Sequence, residues 1–515
     1  MRRVACYIVL CGLFVGWACI DSPLPVSAQG EAWSSPFEVS GPGQFSWFPD
    51  IAVGPESSVH IIWGSGDTTI NPDETKYSRD LLGYRGLVDG AWSESNDIVF
   101  TGAGADVYTV RNSIISGLDG RIHILVRMGT SIYASSADWR DAWSARVWDR
   151  PVRVSGNDDA YYATLVRDKN NTLHAFWSEA VRVYSGEYGC PNCSELFYRN
   201  SNDGGRSWSA IQNLSQTPNG ENRPHIQVDP RNRMHIVWDE GWDFRANAGA
   251  ARAGVYRRSD DGGQTWTEPV YFTVNGEPVQ QTTVAVTSQG NPFVVFRSAR
   301  DGRVFFQQSD DGGKGWGPLG EIPGVEARLS TDSGLDIYAL ATDSRDHIHL
   351  LMNGFLPGEA SIYRSPSLYH LTWDGTRWSA PRVVMGDNDR WPEWPRLVIS
   401  NGNQLHATWF TRRTDDRFRS EDRPNYQVWY STLTISAPTV SPPPLFTPVP
   451  TALPSPTEMP AIAPSPTALP VNAREAPLLD GPPAWEQRGM QTIAMALAPV
   501  VVIIGFIAVV ARLRR

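Results

Sequence analysis

Ser201-Asn202-Asp203-Gly204-Gly205-Arg206-Ser207-Trp208 recurs as Ser259-Asp260-Asp261-Gly262-Gly263-Gln264-Thr265-Trp266 and again as Ser309-Asp310-Asp311-Gly312-Gly313-Lys314-Gly315-Trp316. All three read Ser-x-Asp-x-Gly-x-x-Trp. A fourth copy, Ser136-Ala137-Asp138 to Trp143, lacks only the glycine. A fifth, Asp374-Gly375-Thr376-Arg377-Trp378, is more worn, and Asp89-Gly90-Ala91-Trp92 and Ala32-Trp33 share only the tryptophan. The pattern describes a hairpin turn. Its aspartate accepts backbone N–H bonds inside the turn, its glycines supply positive φ, and its tryptophan packs back over the hairpin. Repetition at similar turns assigns Asp138, Asp203, Asp261, Asp311, Trp208, Trp266 and Trp316 to structure rather than to catalysis or calcium binding.

The tryptophans count the units outward from these turns. Trp33, Trp92, Trp143, Trp208, Trp266, Trp316 and Trp378 are each followed by a short strand-like run. Ahead of the last six stand aromatic strands with Tyr84, Tyr133, Tyr198, Tyr256, Phe306 and Tyr369, and a further such strand holds Tyr430. A third series comprises His60-Ile-Ile-Trp63, His123-Ile-Leu-Val126, His174-Ala-Phe-Trp177, His235-Ile-Val-Trp238, Phe293-Val-Val-Phe296, His349-Leu-Leu-Met352 and His406-Ala-Thr-Trp409. Six of the nine histidines thus occupy one repeated position, which marks them as scaffold. Short apolar runs between Gly/Asn/Asp turns are strands. Each unit reads as four strands, a propeller blade.

The expected fold is therefore all-β: a single β-propeller over residues 29–436 with seven four-stranded blades, six being the alternative count. The last unit lacks an outer strand, and Trp33–Ser40 is an outer strand with no blade before it. Pairing the two closes the ring and hides both edges. Trp33–Val39 is accordingly predicted to lie beside Val428–Thr434.

The two ends give the address. Met1-Arg2-Arg3, the apolar stretch Val4–Ile20 and the small-residue exit Val26-Ser27-Ala28 form a secretory signal peptide over 1–28. A lipoprotein signal ending at Cys19 and an uncleaved N-terminal anchor are the alternatives. Residues 437–489 are rich in Pro, Thr and Ser, as in Pro442-Pro443-Pro444, and read as an extended stalk. At about 3.1 Å per residue it reaches on the order of 100 Å. Residues 490–511 are apolar, uncharged up to Val510 and long enough to span a bilayer as a transmembrane helix. Arg512, Arg514 and Arg515 make 512–515 a cytoplasmic basic tail, which places the propeller on the extracytoplasmic side of the cell membrane.

A net charge of −10 offers no basic footprint for nucleic acid. Three of the five cysteines (Cys6, Cys11, Cys19) fall in the signal, leaving Cys190 and Cys193. In an oxidising compartment Cys190-Pro-Asn-Cys193 reads as a local disulfide. Zinc would need two further ligands, and a redox role lacks its βαβ context. No metal site and no cofactor motif is read.

The Ser-x-Asp-x-Gly-x-x-Trp turns are the Asp-box, or BNR, repeat, and on them residues 31–436 resemble the sialidase/BNR repeat superfamily. That superfamily includes glycoside hydrolases and non-catalytic binding proteins. A sialidase resemblance implies three arginines gripping a carboxylate, a Tyr–Glu nucleophile pair and an Asp acid/base. Sialidase domains have six blades and an early Arg-Ile-Pro motif. Here seven blades are counted, and the nearest text is Arg223-Pro224, in the wrong unit.

Ligands of propellers meet the face opposite the Asp-box turns, where loops enter each inner strand and leave each second strand. Loops on a rigid frame carry function. The entering loops hold Trp47, Phe48, Tyr108, Tyr161, Tyr162, Tyr338, Trp391 and Trp394, with Arg111, Asp158, Asp159, Glu221, Arg223, Asp387, Asp389, Glu393 and Arg396. The leaving loops begin with Arg127, Glu179, Asp239-Glu240, Arg297 and Arg412, and Trp242 follows. Trp242, Trp391, Trp394, Tyr161 and Tyr162 are the candidate ligand-binding rings. Arg127, Arg223, Arg297, Arg396, Glu179, Asp239 and Glu240 are the catalytic candidates. An arginine cluster holds a carboxylate by bidentate pairing; a structural salt bridge to Asp239 or Glu240 is the competing reading. Two functions stand side by side: a membrane-anchored module binding a glycan or protein ligand, and a sialidase-like exo-glycosidase. Arginines converging with a Tyr–Glu contact favour the enzyme, whereas scattered arginines favour binding.

Overall fold

Short runs of consecutive apolar residues become the second strand of each blade because that strand is covered on both faces. Leu173–Ala180, Met234–Gly241, Pro292–Ser298 and Ile348–Phe355 are buried almost end to end. In the computed structural model seven antiparallel sheets result: residues 45–104, 113–153, 160–213, 220–272, 279–321, 326–385, and 390–434 with 37–38. We number these blades 1 to 7. Blades 1 and 6 carry a fifth strand each. The structure describes residues 31–446 apart from 42–44, 71–75, 105–108, 157–158, 182–192, 218, 243–248, 329–336, 361–363 and 414–425. The signal peptide, the stalk beyond 446, the apolar run 490–511, the basic tail, Cys190, Tyr108 and Asp158 lie outside the described residues. Among those described, no helix is long and apolar enough to cross a membrane. Cys193 is disulfide-bonded.

The ring closes as the sequence requires. Phe37 pairs with Tyr430 and Glu38 with Trp429. Ser34 N donates to Thr432 O and Val39 N to Val428 O, both at 2.8 Å. Deleting residues 31–40 is expected to expose the 427–434 strand as an edge. Concentration-dependent association in light scattering and a broadened unfolding transition are the expected result; a monomer with unchanged unfolding would show that closure is dispensable.

Each intact Asp-box turn is an interlocked set of bonds. Asp203 Oδ1 accepts from Ser201 Oγ (2.8 Å) and Ser207 N (2.9 Å), while Ser201 Oγ accepts from Gly205 N (2.9 Å). Gly204 and Gly205 sit at φ +73° and +88°, where a Cβ is disfavoured. The tryptophan does more than cover its own hairpin: it wedges against an aromatic of the preceding blade. Trp266 meets Tyr198 (5.7 Å between ring centroids), Trp316 meets Tyr256 (4.9 Å), Trp92 meets Tyr430 (5.1 Å) and Trp33 meets His370 (5.4 Å).

Blade 2 departs from this rule. Trp143, expected to pack, is half exposed, and Trp148 stands against Tyr84 at 6.4 Å instead. Without the glycine pair the tight turn does not form. The chain runs on through a 3-10 turn at Ala145–Val147 before a tryptophan reaches the cleft.

The repeated histidines are buried scaffold. His235 Nδ1 meets Tyr256 Oη at 2.8 Å and its Nε2 meets Asp229 at 3.3 Å. His60–Tyr84, His174–Tyr198 and His406–Tyr430 repeat the ring contact at 2.7, 2.9 and 2.7 Å. Burial pushes His60 down to about 3 and His406 to about 4. Both bind a proton more readily in the unfolded chain. Stability is thus full above the ordinary histidine pKa of about 6.5 and falls as pH drops toward 4. Asp168 works the same way at lower pH: burial opposes its ionisation, but bonds from His174, Asn232 and Thr172 hold it at about 2. Glu195 and Glu240, raised by burial, act in the opposite sense. Calorimetry should give a lower Tm at pH 4.5 than at pH 7.5; a flat profile would mean the relays open at no cost.

The expected stalk boundary at 437 falls inside the folded unit. Pro438 O accepts from Ser344 Oγ (2.5 Å), Val440 N donates to Asn401 O (2.8 Å), and Phe446 N donates to Leu118 O (2.6 Å). Residues 437–446 therefore form a strap from blades 6 and 7 to blade 2. It follows the loops joining inner and second strands, on the face of the Asp-box turns, over a groove of about 370 Å³.

Candidate functional site

A single backbone device, repeated around the ring, builds the axial site. The inner strands slip register between Trp47 and Asp50, Tyr161 and Thr164, Asn222 and His225, Gln280 and Thr283, and Glu393 and Arg396. At each slip one residue is left-handed: Phe48 (φ +47°), Tyr162 (+51°), Arg223 (+55°), Gln281 (+60°) and Trp394 (+53°). Arg111 in blade 2 matches them at +55°. Such bulges re-aim a side chain, and strain of this kind gathers at functional sites. Here the re-aimed residues meet one another. The Arg111 guanidinium lies 4.2 Å from the ring centroid of Phe48, 4.7 Å from those of Tyr161 and Tyr162, and 5.2 Å from that of Trp394. It also donates to the Tyr161 hydroxyl.

Carboxylates one layer out hold the bulges. Asp239 pairs with Arg223 at 2.7 Å and accepts from Gln281 N (2.8 Å), Thr282 N (2.9 Å) and Thr282 Oγ1 (2.8 Å). Asp50 stands 3.2 Å from Arg396 Nε and accepts from Ile114 N at 3.0 Å. Burial nevertheless raises the Asp50 pKa, against the opposing pull of Arg396.

A second cluster joins blades 5, 6 and 7. Glu393, wholly buried, meets Arg328 and Arg412 at 2.7 Å each, and both contacts fall on Oε1. Trp391 lies beside both guanidinium groups, at 5.1 and 5.8 Å. Arg297 joins through a 3.2 Å bond from Nη1 to the Arg328 carbonyl. Burial would lower the Arg412 pKa, but the Glu393 carboxylate outweighs it and raises it.

The catalytic candidates are thus split. Arg223 and Arg396 reach the axis and are paired with Asp239 and Asp50. Arg297 belongs to the second cluster. Arg127 is buried beside Tyr161 (5.2 Å) and donates through Nε to Ala160 O (3.0 Å). Burial, with Arg111 nearby, lowers the Arg127 pKa despite Tyr161 and Asp80. Glu179 accepts from Trp177 Nε1 (2.6 Å) and Gly156 N (3.2 Å), and Glu240 accepts from Asn219 Nδ2 (2.8 Å). Of the candidate rings, Trp394, Tyr162 and Trp391 are buried, whereas Tyr161 and Trp242 keep partial exposure. Arg328 was missed because nothing in Glu326-Ala-Arg328 repeats elsewhere. The bulge itself had a readable signal: Phe48-Pro49-Asp50, Arg223-Pro224-His225 and Trp394-Pro395-Arg396 stand at equivalent places in three blades.

The model of the BNR repeat-like domain matches residues 127–437. No curated protein matches the sequence. Similar solved structures include a Dyadobacter fermentans protein of unknown function, 12% identical, covering 79% of this chain and 100% of that one with a TM-score of 0.47. They also include the NanB sialidase of Streptococcus pneumoniae (10% identical, 77% and 69% covered, TM-score 0.42) and a leech intramolecular trans-sialidase (13% identical, 78% and 69%, 0.41). With its repeated Asp-box turns and closed ring of seven blades, the chain belongs to the BNR repeat-like family, within the sialidase/BNR repeat superfamily.

Proposed function

We propose that this protein is an exported, membrane-anchored propeller that binds a glycan or protein ligand on its loop face, the face opposite the Asp-box turns. The observation that carries this reading is the state of the axial arginines. Arg223 and Arg396 are matched to internal carboxylates, and the cavity among them amounts to about 30 Å³. Sites that enclose a small molecule run to roughly 300–1,000 Å³. A sugar ring would therefore be met by the surrounding loops rather than enclosed at the axis. The signal peptide, the 490–511 span and the basic tail argue for the extracytoplasmic address. The strap fits it too: residues 437–446 lie on the face opposite the ligand loops.

A sialidase-like hydrolase is the second reading, favoured by the gathering of Arg328 and Arg412 on one carboxylate beside Trp391, with Arg297 bonded to the Arg328 carbonyl. The test incubates the protein, with its strap retained to residue 448, with sialosides and a polysaccharide panel. Mass spectrometry reads sugar release, and a glycan array reads retention. Retention without release is the expected outcome. Release in proportion to protein, lost in Arg297→Ala, would replace binding by hydrolysis.

A further inference from the structure

We propose that the axial cavity holds a small monovalent anion, for which a halide is the probe, as a built-in ligand that ties the blades together at the bulge layer. Tyr162, Gln281 and Thr283 line this cavity and are 4%, 2% and 2% exposed. The Tyr162 hydroxyl, the Gln281 amide nitrogen and the Thr283 hydroxyl make no hydrogen bond with any described residue. A buried polar atom left this way costs about 1–3 kcal/mol, so three beside one void call for an occupant. Each can donate.

The rest of the lining decides what that occupant is. Arg111, Arg223 and Arg396 line the same space, and among the described lining residues none is acidic. His225 adds a donor. Val284 N–H points at its Nδ1 (3.4 Å), which leaves the ring proton on Nε2. Arg223 and Arg396 are balanced by Asp239 and Asp50 behind them, so the case rests on the donors: converging donors with no lining carboxylate suit an anion better than water, which must also donate. The volume of about 30 Å³ takes a halide or about two waters and excludes a sugar. The anion would contact residues from blades 2, 3, 4, 5 and 7 at once, as a central rivet does.

The experiment uses the full chain extracted in detergent. Tm is followed as chloride replaces gluconate at constant ionic strength. The expected rise is logarithmic in chloride, about 3 °C per hundredfold above Kd for a propeller of this size. Crystals soaked in bromide should show an anomalous peak between Thr283 and Arg223. Thr283→Val, which keeps the shape and removes the hydroxyl, should weaken the halide response at least about tenfold. Tyr162→Phe offers a second isosteric removal should the valine protein fail to fold. A Tm indifferent to chloride, or a cavity with water density only and no bromide signal, would overturn the proposal. Neither outcome depends on a glycan being bound.

Discussion

Glu393→Gln should destabilise the propeller by about 3–5 kcal/mol, the loss typical of breaking a buried ion pair from one side. Glu393 is wholly buried, and Arg328 and Arg412 both meet its Oε1 at 2.7 Å. The glutamine keeps the shape but removes the charge, leaving two buried guanidinium groups facing a neutral amide. The effect is large because one of these bonds runs between blades: Arg328 opens blade 6, whereas Glu393 and Arg412 lie in blade 7. Urea unfolding of wild type and variant measures it. Replacing Glu393, Arg328 and Arg412 together by apolar residues of similar volume should recover most of the loss, since a buried ion pair often gives no net gain over well-packed hydrocarbon. If Glu393→Gln costs less than about 1 kcal/mol, the triad is solvated in solution and the account of the second cluster fails.

Gly313→Ala should cost about 2–5 kcal/mol, combining the left-handed backbone of a non-glycine residue with overpacking. Gly313 has φ +87°, and an added Cβ would lie 2.0 Å from the Tyr256 hydroxyl and 2.8 Å from its Cζ. Tyr256 cannot retreat, because His235 holds its hydroxyl at 2.8 Å and Trp316 packs on its ring. Gly262→Ala isolates the backbone share: φ is +73°, but nothing lies within 4 Å. That variant should lose only about 1–2 kcal/mol. Tyr256→Phe in the Gly313→Ala background should relieve part of the clash, and calorimetry of wild type, Gly313→Ala, Tyr256→Phe and the double variant completes a cycle. Equal losses at Gly313 and Gly262 would mean that the blades do not meet as tightly as the structure shows.

How legible each feature was follows from the distance over which it is determined. The turn Ser201–Trp208 is decided within eight residues by one aspartate, two glycines and a hydroxyl, so its recurrence exposed the blades and their number. The pairing of Phe37 with Tyr430 was readable because one spare strand and one missing strand leave a single way to close. Trp143 misled because its segment keeps the aspartate and tryptophan but lacks the glycine that makes the turn tight. The strap misled because a proline-rich composition says nothing about a backbone that finds partners at Asn401 and Leu118.

By itself, then, the sequence determined the all-β class, the seven blades, the ring closure and the scaffold role of the histidines, since these rest on local turn chemistry repeated along the chain. Only the tertiary structure decided the site. Arg328 meets Glu393 across 65 residues and Asp239 meets Thr282 across 43, so the contacts that join the site's charges from blade to blade depend on how separate blades converge. The axial cavity exists only where left-handed bulges from several blades face one another. No single segment carries that information, because the groups at the axis come from several blades.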